Sequence, residues 1–218
     1  MNKEWSELNK KMQEQLKKET TFLQGIETLF ILRQKLMDEL YNMKDELNTE
    51  DFYAMPYAGA RGYHSKTIAY SIWHIFRIED IVLHSLICND EEIFFRKGYK
   101  NSIGSPVITT GNELTGQQIA DFSRQLDINK LYQYIAEVRE STESILKGFS
   151  YHDLKRKFDD TDKARLGSLQ VVSTDENAGW LIDYWCGKNV RGLIQMPFSR
   201  HWIMHIEASL RIKTRIYK

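Results

Sequence analysis

Apolar residues recur at helical spacing in four long stretches of this chain, separated by segments that are polar or carry glycine and proline. From Phe22 to Leu47 the positions Phe22, Ile26, Leu29, Phe30, Leu36, Leu40 and Met43 keep close to one face of a helix turning about 100° per residue. Ser65 stands where it can cap a second helix running to about Cys88, with Ile68, Ile72, Ile75, Ile78, Val82 and Leu86 turned inward. Asp127 can cap a third, through about Lys147, with Leu131, Tyr134, Ile135, Val138 and Ile145 as its buried stripe and Gly148 as a stop. A fourth is predicted from a cap at Ser199 to about Tyr217. Its final turns carry Arg211, Lys213 and Arg215, which suit the negative end of a helix dipole.

The intervening segments are read as connections. Residues 1–19 form a polar, helix-forming extension, with Thr20 and Thr21 able to cap the first long helix. Asn48 to Gly62 holds Pro56, Gly59 and Gly62 and reads as a linker. The stretch 89–126 is irregular apart from a short helix over 115–124. The stretch 149–198 is polar at first, then helical and aromatic-rich from Glu176 to Cys186, and is interrupted by Gly187, Gly192 and Pro197. Strand-like alternation is confined to Leu169-Gln170-Val171-Val172, and no tandem repeat appears. The pattern predicts an all-α protein, one helical-bundle domain over 1–218 with decorated connections.

Composition narrows the function without naming it. The 30 basic and 30 acidic residues cancel, which argues against bulk attraction to nucleic acid or to an acidic membrane. The basic run Lys155-Arg156-Lys157 is followed by Asp159 and Asp160 and reads as a solvated segment. Two cysteines, Cys88 and Cys186, make no disulfide framework and suit a reducing cytoplasm; Cys186 reads as a buried, inert thiol. No apolar signal core follows Met1 and no apolar stretch approaches a membrane span, so a soluble cytoplasmic protein is expected.

The chemistry concentrates in histidine. His201 and His205 lie four residues apart on the fourth helix, about 40° apart around its axis, the spacing at which two imidazoles on one helix can bind one metal ion. His74, in the middle of the second helix, is the best third ligand, since a histidine on that face needs a buried polar partner. His84 lies about 80° further round the helix, His64 falls in the loop before it and His152 among polar residues, so none of them joins the first set. Three neutral imidazoles leave a divalent cation with open positions. Zinc, nickel, manganese and iron all accept such ligands, and a carboxylate such as Asp183 would close the site.

The segment Ser65-Lys66-Thr67-Ile68-Ala69-Tyr70-Ser71-Ile72-Trp73-His74-Ile75-Phe76-Arg77-Ile78-Glu79-Asp80 resembles the second-helix signature of the DinB/YfiT-like superfamily, and His201-Trp202-Ile203-Met204-His205 resembles its fourth-helix signature. The likeness extends from about residue 20 to the end. Many members follow the last histidine with arginine and glycine, whereas this chain has Ile206-Glu207-Ala208. The resemblance implies a DinB-like four-helix bundle with a long crossover, often a homodimer. It also implies a metal triad of one histidine on the second helix and two on the fourth, here His74, His201 and His205. Its relatives include hydrolases and transferases that use low-molecular-weight thiols. A small-molecule substrate, such as a thiol, is therefore expected, with no nucleic-acid or membrane partner. The alternative is a non-catalytic bundle whose metal is structural or absent, acting as a binding or stress-related module.

Neighbouring positions carry weaker expectations. Arg77 reads as a salt-bridge partner of Glu79, Asp80 or another helix, with binding of an anionic substrate as the alternative. Glu79 and Glu207 are candidates to hold an imidazole by its outer nitrogen. Trp73 and Trp202 read as packing; Trp180, Tyr184 and Trp185 read as core, with a lid over the metal as the alternative.

Overall fold

The computed structural model describes residues 2–218; residue 1 of the extension lies outside the described residues. Among the described residues the regular structure is all helical, with one isolated bridge between Lys157 and Asn189 and no strand. Leu169 ends a helix over Asp160–Leu169, and Gln170 turns left-handed behind it (φ 55°), so the alternation at 169–172 forms no strand.

The four long helices appear close to the predicted bounds. The first spans Phe22–Glu46, the second Ile68–Asp80 with a π-helical continuation over Ile81–Cys88, the third Ile128–Lys147 and the fourth His201–Ile216. They close a ring of contacts, first to third to second to fourth and back to the first. An N-terminal helix over Lys3–Gln15, capped by Asn2, lies on the first long helix and buries Trp5 and Met12.

The caps differ from expectation. Thr67, not Ser65, caps the second helix: its hydroxyl accepts from the Tyr70 amide at 3.0 Å, while Ser65 donates back to the Gly62 carbonyl within a short turn. Thr21 donates to the Gln15 carbonyl and caps nothing. Ser199 lies inside a π-helical turn over Met196–Arg200 that runs into the fourth helix, and its hydroxyl donates to the Ile194 carbonyl. Asp127 does cap the third helix, through the Lys130 amide. The linker after residue 47 contains its own helix, Thr49–Tyr53, with an Asn48–Asp51 capping box, and the irregular stretch 89–126 holds short helices at Ile93–Arg96 and Tyr99–Ser102 as well as Gln117–Ser123.

The ring is tied at its centre by a buried ionic network. Arg33 of the first helix meets Glu79 of the second in a two-pronged pair, Nη2 to Oε1 at 2.7 Å and Nη1 to Oε2 at 3.0 Å. Thr142 of the third helix donates to Oε1 at 2.6 Å, and the indole of Trp202 on the fourth donates to Oε2 at 2.8 Å. Arg33 also lies over the Trp202 ring, 4.2 Å from its centroid, and reaches the Phe198 carbonyl. Arg33 and Glu79 are fully buried. Burial opposes the charge on Arg33, but Glu79 and Glu143 outweigh it and hold the guanidinium pKa above its ordinary value. Glu79 is therefore engaged in the core and is not an outer partner of a histidine.

Removing one member of such a pair leaves an uncompensated buried charge, which costs about 3–5 kcal/mol. Glu79→Gln should lower stability by that order in urea unfolding. Arg33→Met combined with Glu79→Leu should recover a large part of the loss, and a single-variant loss of well under about 1 kcal/mol would contradict the role given to the pair.

Candidate metal centre

The network sets the register between the second and fourth helices. Glu79 is about one and a half turns beyond His74, and Trp202 lies between His201 and His205. With Glu79 and Trp202 joined, His74, His201 and His205 come together. All three are buried, and one ring nitrogen from each lies within 4.8 Å of the others. Ring centroids are 5.1 Å apart for His74 and His201, 4.9 Å for His74 and His205, and 4.6 Å for His201 and His205. Among the described residues no cysteine, aspartate or glutamate joins the group. Asp183, a possible fourth ligand from the sequence, is exposed and pairs with Lys163 at 2.7 Å.

His74 is held from outside. Its Nδ1 lies 2.6 Å from the Thr110 carbonyl, which can only accept, so Nδ1 carries the proton and Nε2 keeps its lone pair. Tyr70 stacks on the ring at 5.3 Å, its hydroxyl donating to the next carbonyl, Gly111. The loop can pass this close because Gly111 has φ +74° and no side chain; a Cβ there would meet the Trp73 ring at 2.6 Å. The other two imidazoles have no such partner. Nδ1 of His201 and both ring nitrogens of His205 are buried without a hydrogen bond.

Burial, reinforced by the neighbouring imidazoles, drives the pKa of His201 and His205 well below the ordinary value, and burial holds His74 at about 4. All three are neutral near pH 7, the form in which imidazole donates a lone pair to a cation. The buried nitrogens without protein partners, the neutral rings and the all-imidazole donor set fit a divalent metal ion.

A cavity of about 220 Å³ opens onto the three rings, walled by Ile78, Trp180, Leu181, Tyr184, Trp185 and Met196. Trp185 belongs to the core, but Trp180 is 51% exposed, so the aromatic segment forms a cavity wall as well as core. Tyr63 packs edge-on against His205 at 4.7 Å.

The remaining candidates lie elsewhere. Arg77 pairs with Glu92 at 2.6 Å and donates to the Ile108 carbonyl, which removes the anion-binding alternative. Glu207 accepts from the Asn2 amide. Trp73 and Trp202 are core residues. His64 accepts from Arg211, and His152 is exposed. Burial raises the Cys186 thiol to about 11, which fits an inert cysteine. His84 bridges Asp90 at 2.7 Å and Ser141 at 3.1 Å, a serine–histidine–aspartate contact. Ser141 lies within the third helix, whose amides are taken by helical hydrogen bonds, so no backbone donors are left there to stabilise an oxyanion.

Sequence reasoning missed Thr110, Tyr63 and Asn112, a further wall residue. Each sits in a connection without a periodic signal, and only Gly111 marks the place where backbone approaches the second helix.

No family model matches the chain, and no curated protein matches it. The fold and site define an all-helical chain with a buried three-histidine group able to hold a metal ion. Among the described residues no helix is long and apolar enough to cross a membrane.

The neutral rings make the metal-free protein sensitive to acid. In the unfolded chain each histidine titrates near 6.5, whereas the folded values are depressed. Above pH 6.5 neither state is protonated and the rings have no effect. Below it the unfolded state gains protons first, so stability falls by up to about 1.4 kcal/mol per pH unit for each histidine until the folded ring titrates, about pH 4 for His74. Urea midpoints measured from pH 7.5 to 5 should fall more steeply in wild type than in His205→Phe; parallel curves would contradict the assignment.

Proposed function

We propose that this chain is a divalent-metal-dependent enzyme of the DinB/YfiT-like type, with His74, His201 and His205 as its metal ligands. One observation carries the reading: ring nitrogens of His201 and His205 are buried with no protein group to satisfy them, and they converge with His74 from a second helix. Leaving a buried polar group unsatisfied costs about 1–3 kcal/mol, and a shared cation removes that cost. Held by these three residues, a cation would supply Lewis-acid chemistry that makes a water or thiol a nucleophile at neutral pH.

The chain's own residues do the rest. The Thr110 carbonyl and the Tyr70 ring fix the orientation and tautomer of His74. The Arg33–Glu79–Trp202 network holds the fourth helix in register, so His201 and His205 stay opposed to His74. Trp180, Leu181 and Met196 line a mostly apolar space that can accept an apolar part of a substrate. With three protein ligands and a cavity against them, the site has room for an exogenous ligand, which favours catalysis over a closed structural metal. Thiol transfer is the preferred reaction by analogy with the family that the motifs resemble; hydrolysis would use the same centre with water as nucleophile. The DinB-like four-helix bundle, the homodimer and the cytoplasmic setting belong to this same reading and rest on the motif resemblance.

A paired assay tests it. Protein loaded with zinc, nickel, manganese or iron(II) is given an aryl halide with a small thiol, and separately an aryl ester. One metal should support turnover of one substrate class, with loss of at least about 100-fold on chelation or in His201→Ala. Rates that ignore both metal and His201 would contradict the proposal.

A further inference from the structure

A second pocket, treated as another arm of the cavity, also reaches His74 and His205 and is not lined by Trp180. It holds about 240 Å³ and shares Tyr63, His74, Asn112 and His205 with the apolar arm. Its own walls are chemically different, since Ser65, Lys66 and Tyr70 replace the indoles and aliphatic side chains.

Lys66 is the distinctive residue. The fully buried cations Arg33 and Arg77 are each neutralised by a buried glutamate, Glu79 and Glu92. Lys66 is half-buried, its ammonium lies 5.1 Å from the Tyr70 ring, and among the described residues no carboxylate pairs with it. Burial lowers its pKa with no acidic neighbour acting against the shift. Across the same arm, Asn112 has a buried amide oxygen without a partner. That oxygen is enclosed, so the amide can meet a ligand in the cavity only through its NH₂ group, which makes no hydrogen bond among the described residues. A cation without a counterion and an amide without a partner, facing one space beside the histidines, together form a receptor for an anion.

We infer that this arm binds a carboxylate of the substrate, through Lys66 and Asn112, while the apolar arm takes an apolar group at the substrate's other end. The inference deepens the proposed function and rests on it for the position of the reacting centre between the two arms. In the metal-free protein a single cation matches a single negative charge, and a phosphate dianion would leave one charge uncompensated in a half-buried site. The substrate class is thus a small amphiphilic carboxylate whose middle passes the imidazole cluster. Lys66 acts as a specificity residue and takes no part in metal binding.

The test uses the full chain, metal-free and zinc-loaded, and follows the fluorescence of the tryptophans that line the apolar arm. Phenylpropionate is titrated against its neutral analogue phenylpropionamide on wild type, Lys66→Gln and Lys66→Arg. Wild type should bind the acid at least about tenfold more tightly than the amide in both metal states. Lys66→Gln should bring the two to equal affinity, and Lys66→Arg should keep the preference, showing that the charge and not the fold is at issue. Equal affinities in wild type, or a preference that survives Lys66→Gln, would overturn the inference. A preference appearing only in zinc-loaded protein would overturn it too, because the carboxylate would then be bound by the cation. Zinc stoichiometry on the same samples separates the two readings. A wild type that takes up no zinc but still prefers the acid removes the metal centre and leaves the carboxylate arm standing.

Discussion

Glu79 receives Arg33, Thr142 and Trp202 from the other three long helices, so one buried carboxylate is the point at which the ring of helices closes. A buried ion pair adds little net stability compared with apolar packing, but it tolerates few alternative arrangements, because every misregistered one leaves a charge unpaired. Its effect here is on register. Trp202 sits between His201 and His205, and Glu79 follows His74 by about one and a half turns, so the bond between Trp202 and Glu79 sets which faces of the second and fourth helices meet. The π-helical turn over Met196–Arg200 leads directly into His201, and the Phe198 carbonyl within it is held by Arg33. The network and the histidines thus form one mechanical unit.

The histidine group stands in contrast to that network. Around Glu79 the polar atoms are matched, whereas at His201 and His205 ring nitrogens remain unmatched in the same buried interior. A core that completes its hydrogen bonds at one point and leaves them open a turn away gives up stability at a site. The two arms of the cavity, one apolar and one carrying Lys66, share His74 and His205 in their walls.

Much of this architecture is legible in the sequence, and the limits of that legibility are physical. Helical periodicity locates the four long helices because each buries one face, as at Leu29, Leu36 and Leu40 in the first. Four-residue spacing puts His201 and His205 on one face, and His74 stands out because a histidine on an inward face needs a partner. Caps are harder. Ser65, Thr67 and Ser199 all offer hydroxyls near a helix start, and the choice depends on tertiary contacts: Thr67 Oγ1 also meets the Ser123 hydroxyl at 2.6 Å, from a helix far along the chain. Glu79 reads as a possible histidine partner because the sequence does not show that Arg33, distant along the chain, lies opposite it. Thr110, Asn112 and Lys66 give no signal, since a carbonyl, an amide and a lysine in irregular segments acquire roles only from the groups that the fold brings beside them.

The central claim is that the unmatched imidazoles are metal ligands, and metal uptake by the untagged protein tests it most directly. Wild-type protein dialysed against zinc and then against buffer should retain about one ion per chain, and His74→Ala, His201→Ala and His205→Ala should each remain folded and lose it. A folded wild type that retains no zinc, nickel, manganese or iron, or one whose bound metal is unchanged in all three variants, would contradict it.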